Sequence, residues 1–516
     1  MGYGKVHTVC LTGSHAELLT VETSVTPCVS SQEKSRFQLS GLPDSAVAQS
    51  QTRIRSAIAN SGFHLPDQII SVNFAPASVP TRGTAVDLPL AVSILSASGL
   101  VPAERLQKSF FFGELGLDGS VRPVSGVLPA LLRASEAGLS TAVVPAENAS
   151  EASLADGLEL VSPGSLRQLV DWLRGRAEIP PPEPPGPSSP EALPDMADIR
   201  GQDFARRAVE LAAAGRHNVF FVGPPGSGKT MLAERLPSIL PPLSDQESLE
   251  VTCVHSLHPS SGTARDGLIR FAPFQAPHHS STMQSLVGGG HTDIGPGALS
   301  LAHRGVLFLD EAPEWKREVL ESIRQPVESG EVILHRAGAV MRYPSRVLLV
   351  LAANPCPCAA LRPADCTCSA TARRRYMNRL SKPLLDRVDL QLDVQPPKPS
   401  SILTDLVDVE DSAVVAERVL RARRAAKERW GSMGEPWTCN GEVPGNRLRA
   451  TNLRLPGSTT RQLDHLLRKG RLSTRGYDRV LRLAWTIADL GGHDSPRPAD
   501  VHEACEFRLG LKGATS

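Results

Sequence analysis

Apolar positions along this chain follow two patterns: short unbroken runs, and runs in which they recur every three or four residues. Asn218-Val-Phe-Phe-Val222 is an unbroken run and predicts a buried parallel strand. Met231-Leu-Ala-Glu-Arg-Leu236 follows shortly after and reads as the first turns of a helix. Two further apolar strands are expected at Val306-Leu-Phe-Leu309 and from Arg346 to Ala353. A helix reaching about Ala214 precedes the first of these strands. In the first 175 residues, Ile69–Phe74 and Ala142–Pro145 read as short strands, while Ser45–Ser61 and Leu88–Ser98 carry helical spacing. Beyond Pro396-Pro397 the pattern becomes helical throughout.

Composition supplies the boundaries. Residues 178–194 contain eight prolines, which cannot propagate a helix and favour an extended, semi-rigid linker. The expected division is an α+β unit over 1–175, a linker over 176–195, an α/β unit over 196–398 and a helical unit over 399–516. Hydrophobic content of 41% and charged content of 21% are ordinary for a water-exposed globular chain. The start lacks a basic-then-apolar signal, and no apolar run reaches membrane-spanning length, so no membrane partner and a cytoplasmic location are expected. In that setting the nine cysteines are expected to be reduced thiols or metal ligands rather than disulfides.

The chemistry concentrates in Gly223-Pro224-Pro225-Gly226-Ser227-Gly228-Lys229-Thr230, a full P-loop between a strand and a helix. Glycines let backbone N–H groups crowd around phosphates, and a helix N-terminus adds a favourable dipole. Lys229 is of the right type to reach the β- and γ-phosphates, and Thr230 to ligate Mg²⁺. The second strand ends in Asp310-Glu311, one carboxylate for Mg²⁺ and one to polarise an attacking water. The third ends in Asn354. Ligands of open parallel sheets bind at the carboxyl ends of the strands, so these three tips are expected to converge on one ATP site.

The motifs Gly41-Leu-Pro-Asp44, Arg53–Ile58, Ala276-Pro-His-His279, Gly288-Gly-Gly290, Leu301-Ala-His303, Asn378–Ser381 and Leu384-Leu-Asp-Arg387 run through nearly the whole chain. With them the sequence resembles the ComM/YifB group of magnesium-chelatase-like AAA+ ATPases. The resemblance implies an AAA+ core with a helical lid and a hexameric ring in which ATP sits between subunits. It implies that Asn354 orients the water, that Arg387 is an arginine finger toward a neighbour's ATP, that Arg475 is a sensor arginine, and that Ile199, Gly201 and Gln202 lie near adenine. It implies work on single-stranded or branched DNA, as a branch-migration or helicase motor in recombination or transformation. A chelatase motor subunit and a protein-remodelling ring are the alternatives. The lack of an aromatic residue from Pro277 to Gly290 speaks against the second.

The same resemblance makes the N-terminal unit Lon-protease-like, but without the Ser-Lys dyad. Val79–Val92 contains no serine and Ser125–Ala130 no lysine, so covalent peptidase chemistry is not expected. His278 and His279, being adjacent, read as part of a polar loop rather than a metal site. Residues 334–345 resemble a hairpin before Asn354, with Arg336, Arg342 and Arg346 available for phosphates.

Cys356-Pro-Cys358 and Cys366-Thr-Cys368 form two close pairs. They could hold one tetrahedral Zn²⁺, although one intervening residue per pair departs from the usual two to four. Reduced loop thiols are the other reading. Net charge is only +1, yet residues 412–510 hold 18 Lys and Arg against 11 Asp and Glu, a local balance of +7. Arg418, Arg421, Arg423, Arg424, Lys427 and Arg429 lie along one helix there. Either a solvated face or phosphate contact would use such a run.

Overall fold

The computed structural model describes residues 2–27, 36–40, 44–65, 68–76, 83–183, 193–258, 267–290, 294–336, 339–397 and 409–510. Residues 41–43 of the first family motif, 79–82 of the Val79–Val92 segment, 184–192 of the linker, 337–338 and 399–408 lie outside them.

The N-terminal unit is built on a seven-stranded mixed sheet. Its centre is a long antiparallel hairpin, Gly2–Thr12 with His15–Pro27, longer than the short strands expected there. Both faces of the first strand are covered. Val6 and Cys10 join the cluster under helices Asp44–Asn60 and Asp87–Ala97, while Val9 joins the cluster under helix Val127–Glu136. Helix Asp87–Ala97 is buried throughout and lies close against the hairpin. A Cβ on Gly4 would fall 2.2 Å from the Ser93 carbonyl oxygen, so only glycine permits this approach.

The central unit carries five parallel strands in the order Phe274–Gln275, Val306–Leu309, Leu348–Ala353, Val219–Val222, Leu390–Asp393. The inner three are almost entirely buried, which explains their unbroken apolar runs. The strand expected from Arg346 begins two residues later, at Leu348. The hairpin expected over 334–345 pairs Glu331–Arg336 with Ala339–Pro344.

Helices Ser412–Ser432, Gly457–Arg468, Thr474–Leu490 and Pro498–Leu509 follow. One hydrophobic cluster runs from helix Asp203–Gly215 through the central sheet to Trp430, Trp485 and Phe507 of these helices. Asp389, almost wholly buried at the start of the last strand, receives Arg479 Nη1 at 2.6 Å. Burial alone would raise this carboxyl, but Arg479 and His217 hold it well below the usual range.

The N-terminal unit packs directly on the central one. Leu249 and Cys253 of helix Asp245–Ser256 sit against the cluster of helix Val127–Glu136, and Gly126 N–H donates to the Ser256 carbonyl at 2.9 Å. Ser14 donates through its backbone N–H and its hydroxyl, each at 2.9 Å, to the Arg342 carbonyl of the Glu331–Pro344 hairpin. Between these contacts lies a cleft of about 860 Å³. Gly83, Thr84, Ala85 and Ser125 of the segments that lack the dyad residues line it, together with His258 and Tyr343 of the central unit.

Candidate nucleotide site

The sheet order puts the strand Val219–Val222 beside Leu348–Ala353, which in turn borders Val306–Leu309. In register, Val222 pairs with Ala353 and Leu309 with Leu351, so the residues just beyond all three strands meet at one edge. Gly223–Thr230, Asp310-Glu311 and Asn354 are brought together there.

The loop has the backbone a phosphate cradle requires. Gly226 and Gly228 adopt φ of 73° and 86°, a region that penalises any side chain, and a Cβ on Gly226 would meet nothing within 4 Å. Helix Lys229–Glu234 begins directly at the loop. Lys229 Nζ is folded onto the loop, donating to the carbonyls of Gly223 at 2.7 Å and Pro224 at 2.9 Å, and lying 3.4 Å from Asn354 Oδ1. Burial pushes its pKa down, with Asp310 and Glu311 opposing. The Thr230 hydroxyl donates to Asp310 Oδ2 at 3.1 Å. Asp310 is oriented from behind, since its Oδ1 accepts the Glu311 N–H at 2.8 Å and its carbonyl the Trp315 indole at 3.0 Å.

Glu311 adopts φ 48°, ψ 42°, a left-handed conformation that is unusual for a non-glycine residue. Such strain concentrates at functional positions. Its Oε2 lies 3.0 Å from Nδ1 of His279, whose ring is tilted 34° against that of His278 with centroids 4.1 Å apart. Adjacency in sequence favoured a polar loop over a metal site for the two histidines, but gave no sign of this contact. The strand Phe274–Gln275 that leads into this loop was not among the elements expected from the sequence. Trp315 was missed as well, because nothing in the pattern separates it from a core residue.

Gln202 braces the loop, its Nε2 donating to the carbonyls of Ser227 at 2.7 Å and Gln395 at 2.9 Å. Two expected residues sit apart from this set. Arg387 donates to the Pro383 carbonyl at 2.7 Å and pairs with Glu328 of its own chain. Arg475 is exposed in the first turn of helix Thr474–Leu490.

The arginine-rich helix Ser412–Ser432 divides. Arg418 pairs with Glu210 and Glu410, Arg423 makes two hydrogen bonds to the Ala213 carbonyl, and Arg429 pairs with Asp489 and stacks on Trp485. Arg421, Arg424 and Lys427 are exposed. Half the run is therefore tied into this chain by ion pairs and hydrogen bonds, and the other half is exposed.

The Sγ atoms of Cys356, Cys358, Cys366 and Cys368 lie within 4.8 Å of one another. Among the described residues no helix is long and apolar enough to cross a membrane.

Three family models match: subunit ChlI of Mg-chelatase over 26–148, magnesium chelatase subunit ChlI over 195–402, and magnesium chelatase subunit ChlI C-terminal over 409–508. An uncharacterized protein of Mycobacterium tuberculosis is 44% identical over 98% of this chain and 99% of its own length. Competence protein ComM of Haemophilus influenzae is 40% identical over 96% and 95% of the two chains. The uncharacterized protein YifB of Escherichia coli is 36% identical over 98% and 97%. On this combination of near-full-length relatives and matched models, the chain belongs to the ComM/YifB family of magnesium-chelatase-like proteins.

Proposed function

We propose that this chain is an AAA+ ATPase that hydrolyses ATP to ADP and phosphate and uses the energy to move on DNA. The observation that carries the reading is the meeting of Lys229, Thr230, Asp310, Glu311 and Asn354 at one sheet edge. Gly223–Thr230 would cradle the phosphates, with Lys229 leaving its carbonyl partners for the β- and γ-oxygens. Thr230 and Asp310 would hold Mg²⁺, whose charge would neutralise that developing on the phosphates. Glu311 takes the proton of the attacking water, and Asn354 helps to orient that water. Glu311 sits at a defined angle because His279 and its own strained backbone fix it.

In this reading subunits close into a hexameric ring, Arg387 exchanges Glu328 for a neighbour's ATP, and Arg475 approaches the nucleotide of its own subunit. The N-terminal unit over 1–175 is a non-catalytic ring-forming or DNA-contacting module, and the unit over 399–516 is the lid. The name of the Haemophilus relative, a competence protein, supports DNA as the substrate. A second reading, the motor of a metal chelatase, is favoured by the three matched models. The ATPase rate with no addition, with single-stranded DNA, with branched DNA and with an unfolded protein separates the classes. Stimulation by branched or single-stranded DNA alone supports the proposal, and stimulation by unfolded protein alone or by nothing removes DNA as the substrate.

A further inference from the structure

The loop that leaves Asn354 holds a second constellation, separate from the nucleotide residues. Cys356 is buried, Cys366 and Cys368 are half-buried, and Cys358 is exposed. Cys356 and Cys358 are 3.2 Å apart at sulfur, Cys356 and Cys366 3.5 Å, and Cys358 and Cys366 3.7 Å. A sulfur–sulfur bond is about 2.05 Å, so none of these contacts is a disulfide. Four thiolates around one Zn²⁺ at about 2.3 Å stand roughly 3.8 Å apart, close to the separations seen.

Beyond backbone hydrogen bonds from Ala360 to Cys356 and Cys358, little among the described residues gathers these sulfurs. Thiols are weak hydrogen-bond donors and acceptors. The stretch between the pairs offers no apolar core, since Leu361 is 67% exposed and Arg362 pairs with Asp365 at the surface. The backbone nonetheless bends to bring all four together, with Ala359 in the left-handed region at φ 50°. The surroundings also suit the charge of such a group. Four thiolates and Zn²⁺ carry a net −2, and helix Ala370–Met377 begins two residues after Cys368 with Arg373, Arg374 and Arg375 along it. Its N-terminus, capped by Ser369, favours negative charge nearby.

We infer that Cys356, Cys358, Cys366 and Cys368 form a structural tetrathiolate site for Zn²⁺. The four thiols release their protons to solvent on binding, and no position is left open for a water, which assigns the ion a structural role. The site clamps the loop at both ends. Cys356 lies two residues from Asn354, and Cys368 lies two residues before the helix bearing Arg374 and Arg375, which line a cleft with Trp315, Arg317 and Arg379. The assignment of the metal rests on the sulfurs and does not depend on the ATPase reading.

The test is metal analysis of the full-length protein purified without chelator. About one zinc per chain is expected, falling at least about fivefold in Cys358→Ser and in Cys368→Ser, whose side chains are outside the core. Because a variant can misfold, the wild-type protein is also treated under native conditions with a mercurial thiol reagent and a zinc-sensitive dye. Release of about one zinc as the thiols are consumed supports the site. Replacement of the metal by Co²⁺ should yield the intense charge-transfer absorption of a tetrathiolate. Metal-free wild-type protein with freely reacting thiols, iron in place of zinc, or variants retaining full zinc would overturn it.

Discussion

In this chain Nδ1 of His279 lies 3.0 Å from Oε2 of Glu311, joining the loop after the edge strand Phe274–Gln275 to the carboxylate beyond Val306–Leu309. With Nδ1 protonated, the ring donates to the carboxylate and fixes its rotamer. A glutamate that polarises water loses efficiency when it can swing away. His279→Ala is therefore expected to lower kcat about tenfold, roughly 1.4 kcal/mol, with the KM for ATP changed less than about twofold. His279→Asn, whose amide nitrogen can replace Nδ1, should recover much of the rate. An unchanged kcat in His279→Ala would show that the contact does not position Glu311.

The strands of the site were legible because they are buried on both faces, so Val219–Val222, Val306–Leu309 and Leu348–Ala353 appear as uninterrupted apolar runs. The hairpin Gly2–Pro27 was not legible. Thr23 is polar by type yet wholly buried, its hydroxyl 2.7 Å from that of Ser93, and such residues hide the alternation of a strand. The contact of His279 with Glu311 depends on two parallel strands lying side by side, which no local pattern encodes. The division of the arginine helix could have been suspected. Val415, Val419, Ala422, Ala426 and Trp430 mark its buried stripe, and Arg418, Arg423 and Arg429 flank it.

Glu250 ties helix Asp245–Ser256 to the segment before the Val306–Leu309 strand. Its Oε2 is 3.4 Å from His303 Nε2 and 3.0 Å from Arg304 Nη2. The hydrogen bond from His303, with Arg304 beside it, lowers the carboxyl to about 2. A carboxyl depressed in the folded state stabilises above its unfolded pKa, and that stability is lost as pH falls through the folded value. In urea melts, Glu250→Gln should therefore be less stable than wild type at pH 7, and the gap should close as pH falls from about 4.5 to about 2. A gap independent of pH would remove the ion pair as its cause.

Arg387 pairs with Glu328 within its own chain. If it serves a neighbour's ATP in the ring, Arg387→Ala and Glu311→Gln should each be inactive alone. Mixed subunits should regain part of the activity, since some interfaces then pair an intact arginine with an intact glutamate. Co-assembly of the two variants without any recovery at any ratio would argue against a role in trans.

On the helix Ser412–Ser432, exposed and internal cations should separate by experiment. Replacing Arg421, Arg424 and Lys427 with Ala is expected to weaken DNA binding similarly across sequences. It should also flatten the log–log salt dependence by about 0.7 to 0.9 per lost phosphate contact. Arg423→Ala should instead lower thermal stability, because the Ala213 carbonyl loses two hydrogen bonds of 2.9 and 2.7 Å. Binding by the triple variant equal to wild type would shift attention to other exposed cations such as Arg468, Lys469, Arg471 and Arg475.

The most direct measurement is ATP binding and ATP turnover compared in Glu311→Gln, Lys229→Ala and the unaltered chain. Glu311→Gln keeps the loop, Thr230 and Asp310, so ATP should bind within about threefold of normal while turnover falls at least about a hundredfold. Lys229→Ala should lose binding itself, since its ammonium is the cation at the cradle. Turnover by Glu311→Gln equal to that of the unaltered chain, or undiminished ATP binding by Lys229→Ala, would contradict the account.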